Sequence, residues 1–188
     1  MLSVAHVVGC DGVDAATPSA PPPSRVNAVQ ERTPQAAPLA EFCDVLHEPG
    51  RGAALRLPPV EGTPGAGGTF RWVNVWATWC KPCVEEIPRI VAFRDKLAQE
   101  GSPMAFELLS VDTDAATVET FRKEHAGIPS GMRLTDASAL QPWLSELGLD
   151  AGAGLPIHVF VEKSSQVRCV RAGAVGEGDF ASVAALVR

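Results

Sequence analysis

The sequence predicts an α/β domain: a mixed β-sheet with helices on both faces, preceded by a short N-terminal strand extension. Three observations predict it. Apolar, β-branched and aromatic runs at residues 70–77 and 105–111 are separated by a helical stripe at 80–99, the pattern of parallel neighbours joined by a helix. Runs at 157–161 and 167–172 flank the turn Lys163-Ser164-Ser165-Gln166, a hairpin whose strands must be antiparallel. Further helical stripes lie between and after these strands, enough to cover a sheet twice.

The elements follow in chain order. Residues 1–39 form a first segment, dominated from residue 11 by Ala, Pro, Ser, Thr and Val and centred on Pro21-Pro22-Pro23. No helical or strand period runs through it, so it reads as a linker, either a tether or an end with no role. The folded domain spans residues 40–188. Residues 42–46 and 53–57 are short apolar pieces expected as edge strands, the second ended by Pro58-Pro59. A glycine-rich loop at 62–68 leads into the central strand at 70–77. In the helix at 80–99, Cys83, Ile87, Ile90, Val91 and Leu97 share a stripe. After the strand at 105–111, Asp114 is placed to cap a helix at 115–125, with Val118 and Phe121 facing inward. Leu140, Trp143, Leu144 and Leu147 stripe another helix that Gly148 ends. After the hairpin, Phe180, Val183, Ala184 and Val187 stripe the last one.

Composition narrows the function. A chain of 188 residues has room for one core plus a flexible end. The net charge of −6, with no basic run, argues against nucleic acid as a partner. No apolar stretch reaches the roughly 18 residues of a membrane span. Five cysteines are present, Cys10, Cys43, Cys80, Cys83 and Cys169, and only Cys80 and Cys83 are close in sequence. With no second CxxC and no His pair at ligand spacing, a structural zinc site is not expected.

The chemistry centres on Trp76-Ala77-Thr78-Trp79-Cys80-Lys81-Pro82-Cys83, where a strand runs out and a helix begins. The first turn of a helix carries unpaired N–H groups and partial positive charge, which stabilise a thiolate. The thiolate is the nucleophile of disulfide exchange. A spacing of three residues puts both sulfurs on one side of the turn. Pro82 loses no helical hydrogen bond there, and Lys81 adds positive charge. Cys80, ahead of the helix, is expected to be exposed and to attack; Cys83, on the inward stripe, is expected to be shielded and to resolve the mixed disulfide. Glu86 lies three residues beyond Cys83 and shares its side, whereas Glu85 points away. Glu86 reads either as an acceptor for the resolving thiol's proton or as a solvated charge near a helix start.

The stretch Val73-Asn74-Val75-Trp76-Ala77-Thr78-Trp79-Cys80-Lys81-Pro82-Cys83-Val84-Glu85-Glu86-Ile87-Pro88 resembles the TlpA/ResA-like branch of the thioredoxin superfamily, and the resemblance runs from about residue 40 to the end. It implies a thioredoxin-like fold and a thiol–disulfide oxidoreductase, in general a reductant of exported proteins, with no dissociable cofactor. The expected partners are protein disulfides in the bacterial envelope and an upstream electron donor, and the protein is expected to be a monomer. Thioredoxin has a buried Asp where Asn74 stands; an Asn cannot take a proton, and the branch assigns that role to a glutamate at the place of Glu86. Pro88 matches a helix-kinking proline. Pro156, in Gly154-Leu155-Pro156-Ile157, matches a cis proline facing the CxxC, with the Leu155 backbone offered to an extended substrate. Trp79, Lys81 and Pro82 would border that substrate. His158 reads as structural.

Val7-Val8-Gly9-Cys10 resembles a lipobox, but only nine residues precede Cys10 and none is basic; either the true start lies upstream and Cys10 is lipidated, or the match is chance. A lipid anchor on the periplasmic side of the envelope would agree with the resemblance. Cys43 and Cys169 are either a structural disulfide or two small buried hydrophobes. The alternative function is an envelope copper-binding protein, whose relatives generally carry CxxxC and a distant His. A peroxidase would carry Thr where Ala77 stands.

Overall fold

The computed structural model describes residues 1–2, 38–65 and 69–187. The chain divides into units Met1–Arg32 and Thr33–Arg188, and every element below lies in the second. Cys10 and most of the Ala-Pro segment lie outside the described residues, as do three residues of the glycine-rich loop. Seven strands form one sheet. They are β1 (Val45–Leu46), β2 (Val60–Glu61), β3 (Phe70–Trp76), β4 (Met104–Ser110), β5 (Met132–Leu134), β6 (Ile157–Val161) and β7 (Val167–Ala172), in the spatial order β1-β7-β6-β3-β4-β5-β2. The helices are α1 (Leu39–Phe42), α2 (Lys81–Gln99), α3 (Ala115–Glu124), α4 (Leu140–Glu146) and α5 (Phe180–Leu186). None of the described helices is long and apolar enough to cross a membrane.

β3 is the centre: it pairs in parallel with β4 and antiparallel with β6. Because side chains alternate along a strand, Trp72, Asn74 and Trp76 face one layer and Val73 and Val75 the other. The first layer packs against α1, α2, α3 and α5; the second is closed by Trp143 and Leu144 of α4. Trp72 is fully buried, stacked on Phe160 at 5.0 Å and edge-on to Phe106 at 5.6 Å. Asp114 caps α3 as expected, accepting from the Ala116 and Thr117 amides. The Thr117 hydroxyl and those amides hold its carboxyl below the usual Asp range, so this exposed cap is made above ordinary Asp titration and lost as pH falls through the lowered value.

The N-terminal extension departs from expectation. Residues 42–46 were expected as a strand, but α1 occupies Leu39–Phe42 and the strand shrinks to Val45–Leu46. Residues 53–57 contribute a single bridge, Ala54 to Gln166, and the edge strand forms instead at Val60–Glu61, beyond the prolines. A proline cannot donate to a ladder, so pairing resumes only after Pro59, whose carbonyl accepts from Thr135. β5 was not expected at all. Its approach to β4 requires a bare backbone at Gly131, where a Cβ would stand 2.3 Å from the Leu108 carbonyl oxygen. Gly131→Ala is expected to destabilise the domain by about 1–3 kcal/mol in urea unfolding; an unchanged midpoint would show that the β4–β5 contact yields freely.

Candidate active site

The strand end, the loop and the helix start are fixed before the cysteines are reached. At the C-terminal end of β3 the Trp76 carbonyl accepts from the Val111 amide at 2.9 Å. Thr78 is then pinned to Asp112: its amide donates to Oδ2 and its hydroxyl to Oδ1, both at 2.9 Å, while the Ser110 hydroxyl donates to Oδ2 at 2.7 Å. The Cys80 amide closes the turn on the Ala77 carbonyl at 3.1 Å. Asp112 escaped the sequence reading; the one signal for it is its place just past the end of a buried strand.

Cys80 is the N-cap of α2 and Pro82 sits in its first turn. Cys80 and Cys83 form a disulfide with Cα atoms 5.3 Å apart. The Cys83 amide donates to Cys80 Sγ at 3.3 Å, the contact by which an N-terminal turn favours a thiolate at that sulfur. The expected exposure of Cys80 is corrected: the residue is 5% exposed and Cys83 0%. The exposed surface here belongs to its neighbours instead. Trp79 is 70% exposed, and Lys81 and Pro82 are also exposed. Lys81 turns toward Glu85 on the helix surface, 3.6 Å away, rather than standing free beside the sulfurs. α2 continues through Pro88.

Glu86 is not a solvated charge; it is 1% exposed. Its Oε1 accepts from Asn74 Nδ2 at 2.9 Å and its Oε2 from the Val175 amide at 2.8 Å. It therefore shares the inner face of α2 with Cys83, while Glu85 is exposed. His158, paired opposite Asn74 in the β3–β6 register, reaches the same carboxylate, with Nε2 3.3 Å from Oε1.

The second half of the site arrives by register. Ile157 lies opposite Val75, and β6 runs antiparallel to β3, so Leu155 and Pro156 sit at the same sheet end as the loop to Cys80. The Leu155–Pro156 bond is cis, as the resemblance implied. Leu155 is half-buried against the cluster that contains Cys80 and Cys83, and its backbone precedes the β6 ladder. Away from this end, Cys43 and Cys169 are joined by a disulfide across 126 residues. It ties the end of α1 to β7, beside Arg171 Nη1 donating to the Phe42 carbonyl at 2.8 Å. In this structure the pair is bonded rather than two separate buried thiols.

No family model matches the chain. Solved structures do. The chain superposes on the thioredoxin domain of a thiol–disulfide oxidoreductase from Bacteroides vulgatus with a TM-score of 0.51, at 16% identity, over 64% of this chain and 81% of that one. The fold is that of thioredoxin. A Chlorobium tepidum protein named for thiol:disulfide interchange, DsbE, gives a TM-score of 0.52 at 16% identity over 76% of this chain and 96% of that one. StoA from Bacillus subtilis gives 0.50 at 14% identity over 70% and 98%. The first two carry thiol–disulfide chemistry in their names, and all three share the fold of this chain. At such identities they establish architecture, so what this chain does must rest on its own thioredoxin-fold site.

Proposed function

We propose that the protein is a thiol–disulfide oxidoreductase that reduces disulfides in exported proteins through Cys80 and Cys83. The observation that carries this reading is the Cys80–Cys83 disulfide at the first turn of α2 with a buried carboxylate, Glu86, on the inner face behind it. In the reduced enzyme the Cys80 thiolate, held by the Cys83 amide, attacks a substrate disulfide and releases one substrate thiolate. Cys83 gives its proton to Glu86 and attacks Cys80 Sγ, releasing the second substrate thiolate and closing the enzyme disulfide. The two electrons pass to the substrate, and an upstream dithiol restores the pair. No dissociable cofactor is needed for this cycle. Trp79, next to Cys80 in the chain, borders an open groove of mixed character, with Phe121 and Ala116 beside Thr78, Thr117, Asp114 and Glu124, a footing for a protein chain. The Leu155 backbone is placed to pair with that chain in strand fashion.

The Cys43–Cys169 disulfide supports an oxidising location, the periplasmic side of a bacterial envelope, because such bonds persist there and are scarce in reducing cytosol. The proton-transfer role of Glu86 has a direct test. Glu86→Gln is expected to slow resolution of a mixed disulfide by about a hundredfold, while Glu85→Gln leaves it within about twofold, as fits an exposed charge. Equal effects in stopped-flow exchange would remove Glu86 from the chemistry.

A further inference from the structure

His158 is fully buried, and a buried imidazole facing a buried carboxylate asks for a reason. Its Nδ1 lies 3.1 Å from Trp72 Nε1 and 3.3 Å from Asn74 Nδ2. An indole N–H can only donate, so Nδ1 is an acceptor and the ring hydrogen sits on Nε2. Nε2 lies 3.3 Å from Glu86 Oε1, close to the carboxylate but without the alignment of a formed hydrogen bond. Asn74 Oδ1 is likewise without a partner among the described residues, although Asn74 Nδ2 binds the same Oε1. Two unpaired polar atoms thus border one carboxylate, the one whose protonation the exchange chemistry changes.

We propose that His158 is a positioning residue for thiol–disulfide exchange: as a neutral imidazole it holds its Nε2–H beside Glu86 Oε1, where that dipole favours the carboxylate that takes the Cys83 proton. This rests on the reading of Glu86 given above. The step balances: the Cys83 S–H bond breaks, its proton goes to Glu86, and the electron pair left on Cys83 Sγ forms the bond to Cys80 as the substrate thiolate departs. Water then takes the proton from Glu86. His158 does not carry it onward, because a second ring hydrogen on Nδ1 would meet Trp72 Nε1–H and Asn74 Nδ2–H, donors against a donor. With Glu86 protonated, a turned Asn74 amide offers Oδ1 to the new O–H, which gives that orphaned oxygen a partner. The other charged groups around the cluster are fixed elsewhere. Arg89 of α2 donates to the Val175 carbonyl at 2.9 Å. Arg171, opposite His158 on β7, binds the Phe42 and Ala174 carbonyls and stands 3.8 Å from Asp179, just ahead of α5.

Two measurements test this. Side-chain ¹⁵N NMR of the full chain in the oxidised state is expected to find His158 as the Nε2–H tautomer; an Nδ1–H tautomer overturns the proposal, and this holds even if His158 variants fail to fold. The second is the pH profile of mixed-disulfide resolution. Losing a donor dipole beside a carboxylate disfavours its charged form, so His158→Leu is expected to move the acidic limb up by about one pH unit, roughly tenfold slower on the limb. His158→Gln, which retains an N–H donor, should lie near the parent. A His158→Leu protein slowed equally at every pH would show packing alone and overturn the assignment. A parent protein that reduces no protein disulfide at any pH would instead remove the functional reading itself, while the NMR tautomer would still be read.

Discussion

Cys83→Ser is expected to accumulate covalent complexes with protein partners and to lose at least about a thousandfold of its disulfide-reducing turnover. The reason is positional. Cys80 Sγ is the sulfur that receives an amide hydrogen bond at the N-terminus of α2, and its flanks, Trp79, Lys81 and Pro82, are exposed. A partner disulfide therefore meets the protein at these flanks, next to Cys80. Cys83 is fully buried on the inner face of the helix and bonded to Cys80. An intramolecular thiol so placed acts at effective concentrations of about 10⁵ M or more, far above any free thiol in solution, so its loss strands the mixed disulfide. Cys80→Ser should lose the same activity and trap nothing. Non-reducing gels of both variants, exposed to a mixture of oxidised envelope proteins, check the pair; trapping by Cys80→Ser would reverse the roles.

The second large effect lies away from the chemistry. Removing the Cys43–Cys169 bond by the double change Cys43→Ser with Cys169→Ser is expected to cost about 5 kcal/mol. A loop of 126 residues released in the unfolded chain regains that much conformational entropy in the chain-entropy account of disulfides. In thermal unfolding the shift should be about 10–20 °C for a domain of this size. Cys80–Cys83 exchange at low temperature should be unaffected, since the lost bond joins the end of α1 to Cys169 within β7, opposite Phe160 and away from the strand ends that carry Cys80 and Pro156. An unchanged Tm would mean that packing of Phe42 on Phe160 and the Arg171 contact already hold this edge.

Local signals and pairwise register contributed differently to what could be read in advance. The long, strongly patterned pieces were legible: β6 and β7 have the expected bounds, and α2 begins at the CxxC because Cys80 caps it and Pro82 fits its first turn. Glu86 was legible too, as one of two readings, because helical spacing alone puts it on the side of Cys83. β5 was not, since three residues with a charged middle, Met132-Arg133-Leu134, carry no strand period of their own and are held by β4 and β2. The buried ion pair of Arg71 and Glu107 was hidden for the same reason. Both look like polar interruptions in apolar strands until the parallel β3–β4 register brings Nε within 2.6 Å of Oε1. His158 stayed a structural residue in the sequence because its meeting with Glu86 depends on the antiparallel register that sets it opposite Asn74. The exposure of Cys80 failed because a place ahead of a helix does not report packing, and Cys80 lies in the buried cluster with Trp76, Ala77 and Cys83.

The central claim is that Cys80 and Cys83 are a reversible, reducing redox couple, and their reduction potential tests it most directly. The protein would be equilibrated in dithiothreitol and glutathione buffers, quenched, alkylated and weighed, so that Cys80–Cys83 and Cys43–Cys169 are followed separately. The account predicts one reversible two-electron transition of Cys80–Cys83 at or below the roughly −270 mV of thioredoxin, with Cys43–Cys169 still oxidised. A pair that never exchanges with the buffers, or one poised near the roughly −120 mV of a strong protein oxidant, would contradict it.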